Sequence, residues 1–161
     1  MIIKSSDLMY IFDFDGTIIN SIGRLGYIES ANHILSGRLL INPQKYDIRW
    51  TILTSWPKIS MLLINFVCRK HNLYPSQLIA SPYWIKNPSS FNSNQYKLNI
   101  LTSILEGSYS VKYTNRKVQK IIFITNDIIC SKYINTNRTV NNLIAMSASD
   151  FYLGTFNSVI S

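Results

Sequence analysis

Leu8-Met9-Tyr10-Ile11-Phe12-Asp13-Phe14-Asp15-Gly16-Thr17 is the stretch from which the chain is read. Leu8 to Phe14 is a β-rich apolar run, and two carboxylates break it at its end. A polar turn containing Gly16 follows. An Asp-Gly pair alone is an ordinary turn signal; it accounts for Gly16 but leaves a second carboxylate at the strand tip unexplained.

Outward from this strand, short β-rich runs alternate with helix-like segments. Further strands are predicted at Arg49–Thr54, Gln77–Ser81, Lys120–Thr125 and Asn142–Met146. Helix-like stretches fall at Ser21–Leu35, from Pro57 to about His71, at Asn94–Glu106 and at Ile128–Tyr133. Pro57 suits a first helical turn, and Gly107 suits a helix stop. In the second helix Ile59, Leu62, Leu63, Phe66 and Val67 recur at helical spacing and predict one buried stripe. The alternation predicts an α/β fold: a Rossmann-like three-layer sandwich around a mainly parallel five-stranded sheet. The 161 residues fit one domain, 1–161.

Ligands of open parallel sheets bind beyond the carboxyl ends of the strands. Asp13 and Asp15 end the first predicted strand, Thr54 ends the second, and Asn126 and Asp127 end the fourth. Lys97 opens the helix after the third. Polar groups far apart in sequence are thereby expected at one sheet edge.

At this point the chain resembles the haloacid-dehalogenase superfamily, in its small capless phosphatase form. Asp13-Phe14-Asp15-Gly16-Thr17 is similar to the family's first motif, Thr54 closing Ile52-Leu53-Thr54 to the second, and Lys97 to the third. Phe123-Ile124-Thr125-Asn126-Asp127 is similar to the fourth. The resemblance implies a phosphomonoesterase in which Asp13 attacks phosphorus and forms an aspartyl-phosphate. Asp15 then serves as general acid and base, while Thr54 and Lys97 stabilise the phosphoryl oxygens. It also implies Phe14, Thr54, Ser55 and Lys97 as substrate contacts. Mg2+ is implied on Asp13, the Asp15 carbonyl and either Asn126 or Asp127. Here the sequence departs from the family, which commonly carries two adjacent aspartates at the last pair.

Sixteen Lys and Arg against eight Asp and Glu give a net charge of +8, a field that attracts polyanions. No separate cap fits between Thr17 and Arg49 or between Ser55 and Tyr96. An open site and a basic surface favour a phosphorylated substrate such as a nucleotide or a nucleic-acid end. The alternative is a catalytically silent module that binds an anionic partner such as nucleic acid.

Cys68 and Cys130 read as buried free thiols, and His33 and His71 are too isolated for a metal site. Trp50, Trp56 and Trp84 read as packing residues, with Trp56 closest to the expected mouth. Lys112, Arg116, Lys117 and Lys120 precede the fourth strand, on the edge opposite the catalytic tips. Arg24, Lys58, Lys86 and Lys132 follow strands and fall on the productive side. No membrane partner is expected: no apolar run is long enough to span a bilayer, and Met1–Asp7 lacks a signal-peptide core. A soluble, cytoplasmic or otherwise intracellular protein is the expectation.

Overall fold

The structure is a computed structural model that describes residues 7–20, 37–46, 48–112 and 117–152. The helix expected over 21–35, with Arg24, His33 and Arg116, lies outside these residues. Five strands form one parallel sheet: β1 (Leu8–Asp13), β4 (Trp50–Leu53), β5 (Gln77–Ile79), β6 (Lys120–Ile124) and β7 (Leu143–Met146). Their spatial order is β5-β4-β1-β6-β7. The chain moves outward from β1 through β4 to β5, then returns to the other side of β1 for β6 and β7. Connections therefore diverge between β1 and β6, the crevice where ligands of such sheets bind.

Alternation along β1 divides the core into two faces. Tyr10, Phe12 and Phe14 point to one face, with Trp50, Ile52, Ile122 and Ile124. Helix α1 (Ser60–Lys70) and the short α4 (Ala148–Tyr152) cover that side through Ile64, Val67, Cys68, Ala148 and Phe151. Met9 and Ile11 point to the other face, with Leu53, Ile121 and Phe123. Helices α2 (Ser93–Glu106) and α3 (Ile128–Asn137) cover it through Leu98, Leu101, Ile104, Leu105, Cys130 and Ile134. The three layers and the sheet are those expected, and all five strands are parallel.

Beside the sheet lies a feature the sequence did not announce, a two-stranded antiparallel ribbon of β2 (Ile19–Asn20) and β3 (Arg38–Leu39). It follows a tight turn in which the Phe14 carbonyl accepts from the amides of Thr17, Ile18 and Ile19. Gly16 takes a left-handed φ of 70° there, a conformation glycine adopts without steric cost. Helix α2 starts where the Asn92 side chain accepts from the Gln95 amide, and it ends at left-handed Gly107, as expected.

One helix sits differently from its predicted stripe. α1 buries Ser60, Ile64, Val67 and Cys68, with Leu63 packed beside them, while Ile59, Leu62 and Phe66 face outward. The segment is apolar almost all round, so two stripes satisfy helical spacing, and packing on β1 and β4 selects the one through Ile64. Trp84 also departs from expectation: it is 71% exposed. Trp50 is buried edge-on against Phe12, and Trp56 packs on the same core. Both cysteines are buried and free.

Candidate active site

Strand parity explains how the site assembles. Asp13 follows Met9 and Ile11 on the α2-facing side of β1. The buried stripe of α2 begins at Lys97 and continues through Leu98, Leu101, Ile104 and Leu105. Lys97 is therefore carried under the sheet edge instead of into solvent. Its Nζ lies 2.7 Å from Asp13 Oδ2, with the two side chains 6% and 7% exposed. The Phe123 ring lies 6.0 Å from the same ammonium.

A second group holds the same oxygen. Thr125, just past β6, donates its hydroxyl to Asp13 Oδ2 at 3.0 Å. Among the described residues Asp13 Oδ1 accepts the Phe14 amide alone, at 3.0 Å. One carboxylate oxygen is thus fixed by a cation and a hydroxyl, and the other carries a single backbone bond. Thr125 belongs to the fourth motif, but its bond to Asp13 is not legible there, because a threonine ending a strand carries no local signal of a partner 112 residues away.

Burial and charge shape the titration of this cluster. Desolvation raises the Asp15 carboxyl to about 6, and the neighbouring Asp13 charge adds to it; Lys97 and the Gly16 amide pull the other way without prevailing. For Lys97, burial by itself disfavours the charge. Asp13, by its charge and its hydrogen bond and with help from Asp127, outweighs that cost and holds the ammonium above its ordinary range. The Cys130 thiol is pushed up to about 11, chiefly by burial, and is a packing group at neutral pH.

The fourth motif divides its two residues between different duties. The Asn126 amide N–H donates to Thr17 Oγ1 at 3.0 Å, and its side-chain Nδ2 donates to the Gly16 carbonyl at 3.0 Å. Its Oδ1 accepts the Ala148 amide at 3.0 Å. Asn126 thereby clasps the β1 turn to the start of α4, and one lone pair of its amide oxygen is engaged. Asp127 caps α3, where its Oδ1 accepts the Cys130 amide at 3.0 Å. Its Oδ2 has no hydrogen-bond partner among the described residues, and the residue is exposed.

Thr54 lies one residue beyond Leu53, the β4 position paired with Asp13. It is buried, and its Oγ1 accepts the Trp56 amide at 3.2 Å, which leaves the hydroxyl proton to donate. Ser55 is half-buried, and its carbonyl accepts from Asn87 Nδ2 at 2.7 Å. The Phe14 ring is in the core, its N–H is on Asp13, and its carbonyl serves the turn. Lys112 and Lys117 are exposed before β6, away from this edge, as expected.

The donors at this edge are oxygens, the chemistry Mg2+ takes. Among the described residues no three His, Cys, Asp or Glu side chains converge as a self-sufficient metal site. Mg2+ characteristically needs only one or two carboxylates, with substrate phosphate and water completing its shell. Asp13, the Asp15 carbonyl and Asp127 supply oxygens of that kind; so does the Asn126 amide, with one of its two lone pairs accepting the Ala148 amide.

The arrangement defines a class: a Rossmann-like α/β domain with a buried Asp–Lys pair at the switch point of its sheet. No protein-family model matches the chain, and no curated protein matches it significantly. Among solved structures, it is similar to a chain of the Pnkp1/Rnl/Hen1 complex, with TM-score 0.59 and 14% identity over 88% of this chain and 46% of that one. The protein thus spans a little under half of that chain, and the likeness is one of fold. It also aligns with the core domain of a protein described as a phosphoglycolate phosphatase from Streptococcus pneumoniae TIGR4. That alignment has TM-score 0.42 and 13% identity over 94% and 96% of the two chains, too low a score to support an argument. No helix of the described residues is long and apolar enough to cross a membrane.

Proposed function

We propose that this chain is a magnesium-dependent phosphomonoesterase of the haloacid-dehalogenase type, acting through an aspartyl-phosphate on Asp13. The observation that carries the reading is the buried 2.7 Å pair of Lys97 with Asp13 Oδ2, which leaves Oδ1 as the less encumbered oxygen. Asp13 Oδ1 forms a bond to phosphorus as the bond to the leaving oxygen breaks. Asp15, whose carboxyl is raised to about 6, delivers its proton to that oxygen. Asp15 then takes a proton from water as the water oxygen attacks phosphorus, releasing inorganic phosphate and restoring Asp13. Thr54 donates its hydroxyl to a phosphoryl oxygen, and Lys97 balances the charge that develops there. Mg2+ held by Asp13, Asp127 and the Asp15 carbonyl would supply further charge neutralisation.

The net charge of +8, with no separate cap expected from the sequence, supports a nucleotide or a nucleic-acid end as substrate class. The test is Mg2+-dependent release of phosphate from an aryl phosphate, compared with Asp13→Asn. Folding of the variant is checked by circular dichroism, because the exchange leaves Lys97 buried without its counter-charge. Abolished turnover in a folded variant supports the reading, and undiminished turnover overturns it. The clasped amide of Asn126 favours one second reading, a silent module that holds an anionic partner through its basic surface. Such a module releases no phosphate from any ester, and its binding survives Asp13→Asn with a steep salt dependence.

A further inference from the structure

The β5 side of the same edge carries a surface that phosphoryl transfer does not use. Trp84 is 71% exposed, Tyr83 42% and Ile85 71%, on the loop that leaves β5. The loop that carries them is pinned. The Lys58 amide donates to the Tyr83 carbonyl at 2.7 Å, and the Ile59 amide donates to the Trp84 carbonyl at 2.9 Å. The Ser81 amide donates to the Trp56 carbonyl at 2.9 Å. Asn87 joins Ser81 Oγ, at 2.5 Å, to the Ser55 carbonyl, at 2.7 Å. Tyr83 packs edge-on against Phe91. The loop is thus fastened to the segment that directly follows Thr54.

Charge accompanies the aromatic surface. Lys58 Nζ lies 5.6 Å from the Trp84 ring centroid, and Lys86 is exposed two residues further along the loop. A largely exposed indole on a fixed backbone, with Lys58 over its ring and Lys86 two residues along, matches a ligand that has π-faces and negative charge in alternation. Single-stranded nucleic acid has that chemistry, and base–aromatic stacking beside a cationic groove is how such strands are gripped without sequence preference. β5 is two strands from β1, about 10 Å at ordinary strand spacing, so a strand lying here can present its end to Asp13.

We infer that Trp84, with Lys58 and Lys86, is a stacking platform for the terminal nucleotides of a single-stranded nucleic acid whose end lies at Asp13. The inference rests on the nucleic-acid-end reading for its substrate class and extends it to a binding surface outside the catalytic residues.

Binding is measured by fluorescence anisotropy with a fluorescein-labelled, unphosphorylated single-stranded oligonucleotide and metal-free protein, so catalysis plays no part. Trp84→Ala is expected to weaken binding about tenfold, in line with the loss of one stacked base, and Trp84→Phe to stay near wild type. Lys58→Ala should reduce the slope of log affinity against log salt by about one. A duplex of the same sequence should bind less tightly, since its bases are already stacked. Affinity unchanged in Trp84→Ala, or the same loss for duplex and single strand, overturns the platform. So does a Trp84→Ala variant that loses binding to anionic phospholipid vesicles but keeps the oligonucleotide, which would make this a lipid-docking surface. Aryl-phosphate turnover should be unaffected by Trp84→Ala. If the wild type shows no turnover while oligonucleotide binding still depends on Trp84, the catalytic reading fails and the platform stands.

Discussion

At Lys97 and Asp13 two opposite charges have left water together, and each makes the other tolerable. Removing one partner from a buried pair strands the remaining charge, at a cost of about 3–5 kcal/mol. Lys97→Ala is therefore expected to lower unfolding stability by that order in urea. The double variant Lys97→Met with Asp13→Asn should lose much less, because no charge remains buried. Asp15 is the opposite case. Its carboxyl is raised to about 6 against an ordinary 3.8, so the folded protein binds this proton more tightly than the unfolded chain does. The group costs nothing below the unfolded value, and stability falls as pH rises from there through about 6. In metal-free protein Asp15→Asn should thus raise the melting temperature at pH 7.5 but not near pH 4. Because the group is partly solvated, the gain is about 1–2 kcal/mol, or roughly 2–8 °C. The same raised carboxyl predicts that kcat/KM for an aryl phosphate declines on the alkaline side as the proton for the leaving oxygen is lost, with the midpoint below about 6 once Mg2+ adds its positive charge. A kcat/KM that instead climbs through this range would remove Asp15 from the role of acid.

Among the elements, those with a one-sided or uniform apolar pattern could be read directly. β1 and β6 are short apolar runs bounded by polar groups, and they form where expected. α1 could not be placed in rotation, since residues 59, 61–64, 66 and 67 are all apolar and only the sheet beneath distinguishes Ile64 from Leu62. Ile64→Ala should accordingly cost about 2–5 kcal/mol as a core truncation. Leu62→Glu should stay within about 0.5 kcal/mol, and the reverse ranking in chemical denaturation would mean the helix is turned the other way. The ribbon of β2 and β3 was illegible because two-residue strands carry no period. Of the candidate site, Asp13, Asp15 and Lys97 were visible because motif order and strand-end logic both point to them. The Thr125 bond to Asp13 and the clasp of Asn126 were not, since each depends on partners distant in sequence. Gly16 joins the two levels: its left-handed φ of 70° makes Gly16→Ala cost about 1–2 kcal/mol, although a Cβ there would meet nothing within 4 Å.

Over the whole molecule, the fold gathers side chains from β1, β6 and α2, each with its own structural reason to be there, at the crevice where the connections diverge. The β4 and β5 loops extend that edge with an aromatic and cationic surface, and a net charge of +8 is a field that attracts anions at long range. The proposed chemistry depends on one covalent bond, between Asp13 and phosphorus. The most direct measurement is rapid mixing of the protein with Mg2+ and an aryl phosphate, acid quench within the first turnover, and peptide mass spectrometry. One added phosphoryl group on the peptide containing Asp13, absent from Asp13→Asn, is the predicted result. Phosphate released with no acyl-phosphate at Asp13, or with the label on another residue, would contradict it.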